Sequence, residues 1–323
     1  MLTHSFKSGF AEKLHSFIEQ KNALGLPYKH SSWFLSRFDD MCHELYPSVS
    51  TLTKEICDMW ATCKATEKTN AFRNRISPIR EFAKYLIRNN EEAYIIPTSL
   101  TRKAPRHLPY IYSKSDISMI WNEYDNLMPI SYSPTRHLVL PAIMRILYCC
   151  GLRPIEASRL KPQDVDLSCG KLYICESKGH KDRIVMIADD MAEYLYEYDE
   201  RISFILPNRE WFFPNPQGGF CTNRWLNESF MLIRKKLKIC GVDGNPPRLY
   251  DLRHTFATHK LYEWMRDGID LNTMLPYLSA YMGHSQFSDT CYYIHLVPEQ
   301  FQATSGIDLS LFEELLPEVD CYD

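Results

Sequence analysis

Over the first hundred residues apolar side chains return every three or four positions, the period of a helix with one buried face. In FAEKLHSFIEQKNALG, Phe10, Leu14, Phe17 and Ile18 share a stripe that stops near Gly25. SSWFLSRFDDMCHELYP follows, with a serine cap, then Trp33, Phe34, Phe38, Met41 and Leu45, and an end at Pro47. A third helix is predicted at TKEICDMWATCK, and a fourth over about 67–89 that buries Ile79, Phe82 and Leu86.

The pattern breaks at TSLTRKAPRHLPYIYS, which holds two prolines, several basic residues and no apolar repeat, and so reads as an interdomain linker. Helical spacing resumes at SKSDISMIWNEY and runs through RHLVLPAIMRILYCCG to Gly151. A short helix opened by Pro154 comes next. DVDLSCGKLYICESKGHKDRIVMI then alternates apolar and polar residues on both sides of SKGHKD, which predicts a strand pair or three-stranded sheet around a basic turn. Residues 220–297 are helical again, with loops at GVDGNPPRL and GHSQ. The expected fold is mainly α with a small antiparallel β-sheet in the C-terminal domain. Its parts are a helical domain over 1–100, a basic linker over 101–112, a second domain over 113–305 and a tail helix over 306–323.

Apolar residues make up 45% of the 323 and charged residues 24%, a globular balance. HLVLPAIMRILYCCG is interrupted by Arg145 and is shorter than the roughly 20 apolar residues that span a bilayer. The first residues lack the pattern of a secretory signal, so a cytoplasmic protein is expected. None of the eleven cysteines forms a C-x-x-C pair; they read as reduced, mostly buried thiols, and neither a metal nor another cofactor is predicted. The net charge of −3 conceals an asymmetry. Residues 1–112 hold 16 Lys and Arg against 11 Asp and Glu, whereas residues 299–323 hold seven acids and no base. A basic front fits a polyanion, and an ordinary soluble domain equally well.

The fourth helix carries Lys68, Arg73, Arg75, Arg80 and Lys84, and the linker Arg102, Lys103 and Arg106. These cations solvate an exposed face or meet the phosphates of a duplex. Four pieces of the second half hold the candidate chemistry: Arg153 in GLRPIEASRLKPQDVDL, Lys178 in the SKGHKD turn, Arg253 beside His254 in RLYDLRHTFATH, and His284 with Tyr292 and Tyr293 in YMGHSQFSDTCYYIHL. Singly, each is an ordinary surface or core residue. In this order and on these elements, GLRxxE, the strand–turn–strand lysine, LRHTFATH, GH and YxH resemble the tyrosine recombinase (phage integrase) family, which includes Xer and Cre recombinases, over roughly 113–297.

The resemblance implies a DNA-cleaving and rejoining site-specific recombinase that clamps its duplex. Arg153 and Arg253 would be its two phosphate-holding arginines, Lys178 the acid that protonates the leaving 5′-oxygen, and His284 a further phosphate donor. Tyr293, two residues before the histidine of YxH, would be the nucleophile that forms a 3′-phosphotyrosyl bond. Consecutive helical residues point about 100° apart, so only one tyrosine of the pair can face the site. Most members carry a histidine where this chain has Tyr250, a phenol that donates a hydrogen bond but has an ordinary pKa of about 10. A catalytically impaired DNA-binding protein is therefore an alternative, as is a monomeric type IB topoisomerase. The family also implies double-stranded DNA with inverted-repeat half-sites and a tetramer, of this chain alone or with a paralogous recombinase. GIDLSLFEELLPEV would supply an acidic amphipathic helix that docks on a neighbour or folds back on its own domain.

Overall fold

The computed structural model describes residues 5–25, 28–62, 66–101, 108–175, 182–241 and 244–296, apart from the side chains of Lys29 and His295. The predicted tail at 306–323, the turn with Lys178, and Arg102, Lys103 and Arg106 lie outside these residues. The chain divides into two compact units, Met1–Arg106 and His107–Asp323.

The first unit is built from α1 (Ala11–Ala23), α2 (Lys29–Leu45), α3 (Lys54–Ala61) and α4 (Thr69–Arg88). Phe10, Phe17, Phe38, Phe82 and Trp60 meet at its centre in tilted and edge-to-face pairs. The stripes expected on α1 and α4 are buried, except that Ile18 is only partly covered. On α2 the buried face is rotated from the expected one. Leu35, Phe38 and Cys42 are inside, while Trp33 and Leu45 are half exposed. Asp39 explains the rotation: it is buried because it accepts the main-chain N–H groups of Lys7 at 2.6 Å and Ser8 at 3.1 Å. The expected serine cap is also absent, since Tyr28 precedes the helix without a capping side chain and Ser32 donates back to the Tyr28 carbonyl.

The second unit opens with α5 (Lys114–Asp125), capped reciprocally by Ser113 and Asp116, and α6 (Arg136–Cys149). Then come α7 (Pro154–Ser158) and a three-stranded antiparallel sheet of β1 (Val165–Asp166), β2 (Lys171–Ile174) and β3 (Arg183–Met186). In register, Lys171 faces Met186 and Ile174 faces Arg183. The unit continues with α8 (Asp189–Ile205), α9 (Asn223–Lys236), α10 (Asp251–Arg266), α11 (Leu271–Met282) and α12 (Ser288–Cys291), the last running into a 3-10 turn over Tyr292–Leu296. Tyr112, placed in the linker by sequence, belongs to this core instead: it is fully buried, and its N–H donates to Thr255 Oγ1 at 3.1 Å. One apolar cluster runs from Tyr112 to Leu252 and a second from Phe256 to Ile294; Arg253 lies between them in sequence.

Among the described residues no helix is long and apolar enough to cross a membrane. The nine described cysteines are free thiols, five buried and four exposed, a more even split than the sequence led us to expect.

Candidate active site

Two glycines shape the backbone on which the site is built. Gly151 takes φ +57° after α6, and a Cβ there would fall 2.4 Å from the Phe256 ring. That left-handed turn suits glycine, and it delivers Arg153 to the start of α7, where Pro154 occupies the first turn. Gly283, at φ +66°, closes α11, with its N–H on the Ala280 carbonyl and that of His284 on the Ser279 carbonyl, a Schellman-type end. This leaves the last carbonyls of α11 available to other donors.

Both arginines singled out in the sequence converge there. Arg153 donates through Nη2 to the Gly283 carbonyl at 2.8 Å, and through Nη1 to Glu156 Oε1 at 2.7 Å. Arg253, 1% exposed, donates to the Met282 carbonyl at 2.7 Å and the Gly151 carbonyl at 2.5 Å. Burial opposes the charge of Arg153, but hydrogen bonds and attraction to Glu156, with a smaller contribution from Tyr250, hold its pKa above the ordinary guanidinium value. Burial lowers that of Arg253, against the influence of Tyr250 and Tyr293.

Tyr293 is 3% exposed and packs beside His284, ring centres 5.9 Å apart, and His254 at 5.5 Å. Burial lifts its phenol to about 12, although the charge of Arg253 and a hydrogen bond from it pull the other way. Tyr292 is only partly buried and packs against the apolar cluster of α10 to α12. His284 shares a 2.7 Å hydrogen bond between Nδ1 and Thr290 Oγ1. Burial first, then Arg253, Arg153, Arg183 and His254, push its pKa down to about 3, so the ring is neutral at physiological pH. Tyr250 precedes α10, is 38% exposed and meets His254 edge-on at 5.2 Å. The structure thus brings Arg153, Tyr250, Arg253, His284 and Tyr293 together.

Three neighbours were given no role by sequence. His254, named beside Arg253 in RLYDLRHTFATH, stands between Tyr250 and Tyr293. Glu156 was visible as the last letter of GLRxxE; it is a buried carboxylate that accepts the Arg153 N–H at 3.0 Å. Burial works to raise its pKa, but hydrogen bonds and charge from Arg183 and Arg153 bring it to about 2. Arg183, at the start of β3, gave no signal at all.

The basic helix needs a correction. Arg75 does not face a groove: its side chain is 11% exposed, pairs with Glu67 at 2.7 Å, donates to the carbonyls of Trp60 and Thr62, and so ties α3 to α4. Arg80 likewise donates to the Ile96 and Pro97 carbonyls and to Thr101 Oγ1, and Lys84 pairs with Glu81 at 2.8 Å. Lys68 and Arg73 are exposed.

Comparison with known proteins gives the family and the fold. The model of the Phage integrase family matches residues 118–300. A Sinorhizobium fredii protein named for an integrase or recombinase role, y4rB, is 28% identical over 301 residues, covering 90% of this chain and 94% of the relative. Tyrosine recombinase XerD of Oceanobacillus iheyensis is 31% identical over 238 residues, covering 71% of this chain and 72% of the relative. Among solved structures, the fold is shared with XerH site-specific recombinase in its post-cleavage complex with palindromic difH DNA (TM-score 0.60, 19% identity, 89% of this chain, 81% of that one). It is also shared with the Tn1549 transposon integrase bound to transposon right end DNA (TM-score 0.61, 13% identity, 94% of this chain, 99% of that one).

Proposed function

The chain belongs to the phage integrase family and is a tyrosine site-specific recombinase, and we propose that Arg153, Lys178, Tyr250, Arg253, His284 and Tyr293 carry its chemistry on double-stranded DNA. The observation that supports these assignments is the convergence of Arg153 and Arg253 on the turn at 282–283, with the Tyr293 phenol against Arg253.

In the proposed reaction the Tyr293 oxygen attacks a backbone phosphorus. The bond from phosphorus to the phenol oxygen forms, the bond to the 5′-oxygen breaks, the phenol releases its proton to solvent and the 5′-oxygen gains one. Arg153 and Arg253 offer permanently charged, planar forks of donors to the non-bridging oxygens, where negative charge builds in the transition state. Neutral His284 donates to the same oxygens, and Tyr250 holds Arg153 and donates from the far side. Lys178 supplies the proton to the 5′-oxygen. The phosphotyrosyl bond conserves the energy of the broken linkage, so a 5′-hydroxyl from a second duplex reverses the step with exchanged partners. Paired half-sites and a tetramer, made of this chain or of this chain with a paralogue, supply the four tyrosines that two duplexes require.

A duplex carrying the cognate site and a nick beside the scissile phosphate tests the reading, because the short 5′-hydroxyl strand diffuses away and traps the intermediate. We expect a denaturant-resistant protein–DNA adduct that disappears in Tyr293→Phe and persists in Tyr292→Phe. An adduct that survives Tyr293→Phe would remove Tyr293 from the nucleophile role.

A further inference from the structure

Three guanidiniums end on three consecutive carbonyls of one turn. Arg183 Nε reaches Tyr281 O at 2.8 Å, Arg253 reaches Met282 O at 2.7 Å and Arg153 reaches Gly283 O at 2.8 Å. These are the last carbonyls of α11, where the helix dipole is negative, so cations are favoured there. The phosphate clamp accounts for two of the three arginines. Arg183 has no such role, since all three of its nitrogens are engaged, Nε by the Tyr281 carbonyl and the two terminal ones by the oxygens of Glu156 at 3.1 and 2.9 Å, whereas Nε of Arg253 bonds no other group among the described residues. The same carboxylate takes the N–H and Nη1 of Arg153. Gly283 completes the packing, because a Cβ there would lie 2.9 Å from Arg183 Nη1.

We infer that Arg183 is a positioning residue for cleavage: by sharing the Glu156 carboxylate and pinning the turn at 281–283, it leaves Arg153 with net positive charge, aimed at the phosphate. The inference rests on the assignment of Arg153 as a phosphate ligand. A carboxylate 2.7 Å from Arg153 with no second cation would form a neutral pair with it. In a sheltered site such a pair attracts an incoming phosphate far less than a free cation does. With Arg183 present, two guanidiniums share one carboxylate and the trio keeps a charge of +1, to which Arg253 adds its own. Glu156 then acts as a strut that holds Arg153 in place without cancelling its charge.

The test is single-turnover adduct formation on the nicked duplex. It is read beside affinity for intact duplex in a Tyr293→Phe background and beside thermal melting. Arg183→Gln is expected to slow adduct formation about 10²-fold, the scale of a lost transition-state donor, with affinity changed less than about threefold. Adding Glu156→Gln to Arg183→Gln should recover about tenfold, because the stranded negative charge is gone. A purely structural role predicts the opposite, a double variant worse than either single one. Arg183→Gln within about threefold of the unsubstituted rate, or no recovery in the double variant, would overturn the inference. Should Arg183→Gln fail to melt cooperatively, Arg183→Lys decides: it keeps the charge, and a rate within about tenfold of the unsubstituted one is expected. A loss of about 10²-fold at unchanged affinity would overturn the inference. No adduct from the unsubstituted protein overturns the reading of the whole site, whereas an adduct from it with these outcomes reversed overturns only the role of Arg183.

Discussion

At the scale of single residues, His284 shows how strongly its surroundings fix a protonation state. Burial, and after it three arginines, hold its pKa near 3, against an unfolded value near 6.5. A depressed pKa means that the unfolded chain takes up the proton first, so the stabilisation is complete above pH 6.5 and is lost as pH falls toward 3. Urea unfolding should show the loss, at most about 1.4 kcal/mol per pH unit from this group. Comparison with His284→Gln isolates it from the carboxylates, which titrate lower; equal slopes in the two proteins would mean that His284 is charged in the folded state. Tyr250 makes a second residue-level case. Its phenol lies close enough to Arg153 to favour that guanidinium's charge, so Tyr250→Phe should slow adduct formation by about tenfold, the worth of a hydrogen bond to a charged group. Tyr250→His should keep most of the rate. Loss of all cleavage in Tyr250→Phe would show that the phenol does more than position.

At the scale of elements, the two glycines that end α6 and α11 separate stability from activity. At Gly151 a Cβ would strike the Phe256 ring at 2.4 Å in a left-handed turn, so Gly151→Ala should destabilise by about 2–4 kcal/mol, overpacking and strain combined. At Gly283 the nearest atoms belong to the Arg183 guanidinium, which Glu156 and the Tyr281 carbonyl hold in place. Gly283→Ala should therefore cost about 1–2 kcal/mol of stability, the strain of the left-handed turn, yet slow cleavage at least about tenfold, because Arg183 and Arg153 shift together. Equal effects at the two positions, by melting and adduct rate, would contradict this division. The same elements show what was legible. The apolar period revealed α1 and α4, and alternation revealed the sheet, because in both the buried face is hydrophobic. On α2 it failed, since Asp39 is buried by the hydrogen bonds it accepts and Trp33 lies outside with Arg37 5.7 Å from its ring. The motif order pointed to Arg153, Arg253 and Tyr293, which lie together in the structure. Arg183 was invisible because its pairing with Glu156 spans 27 residues and leaves no local period. Arg75 misled for a related reason: a lysine- and arginine-rich helix reads the same whether its cations face water or clamp Glu67. Lys68, Arg73 and Arg88 are the exposed cations on or beside that helix among the described residues, so neutralising all three should lower the salt dependence of DNA affinity by about 0.9 per lost phosphate contact. An unchanged slope would take α4 off the DNA.

At the scale of the whole molecule, charge and chemistry point to assembly. The first 112 residues carry an excess of five positive charges, and residues 299–323 carry seven acids without a base. With Tyr293 as the proposed nucleophile, one protomer would cut one strand, and an exchange between two duplexes would require four. We expect residues 306–323, whose leucines and Phe312 alternate with acids, to join neighbouring protomers. A chain ended at residue 305 should then bind a half-site and form the adduct on a nicked duplex at a rate within about threefold of the full chain, since every residue of the clamp is retained. On two full sites it should yield little recombinant product and sediment as smaller complexes than the full chain does. Undiminished recombination by the shortened chain would mean that the tail folds back on its own unit, and that protomers meet through other surfaces. Relaxation of supercoiled DNA by a protein that stays monomeric on its substrate would instead place the chain with enzymes that cut and reseal a single duplex. Sedimentation on DNA and product yield, measured on the same two proteins, separate these outcomes because assembly is the one property the truncation removes while leaving the arginine clamp and its tyrosine intact.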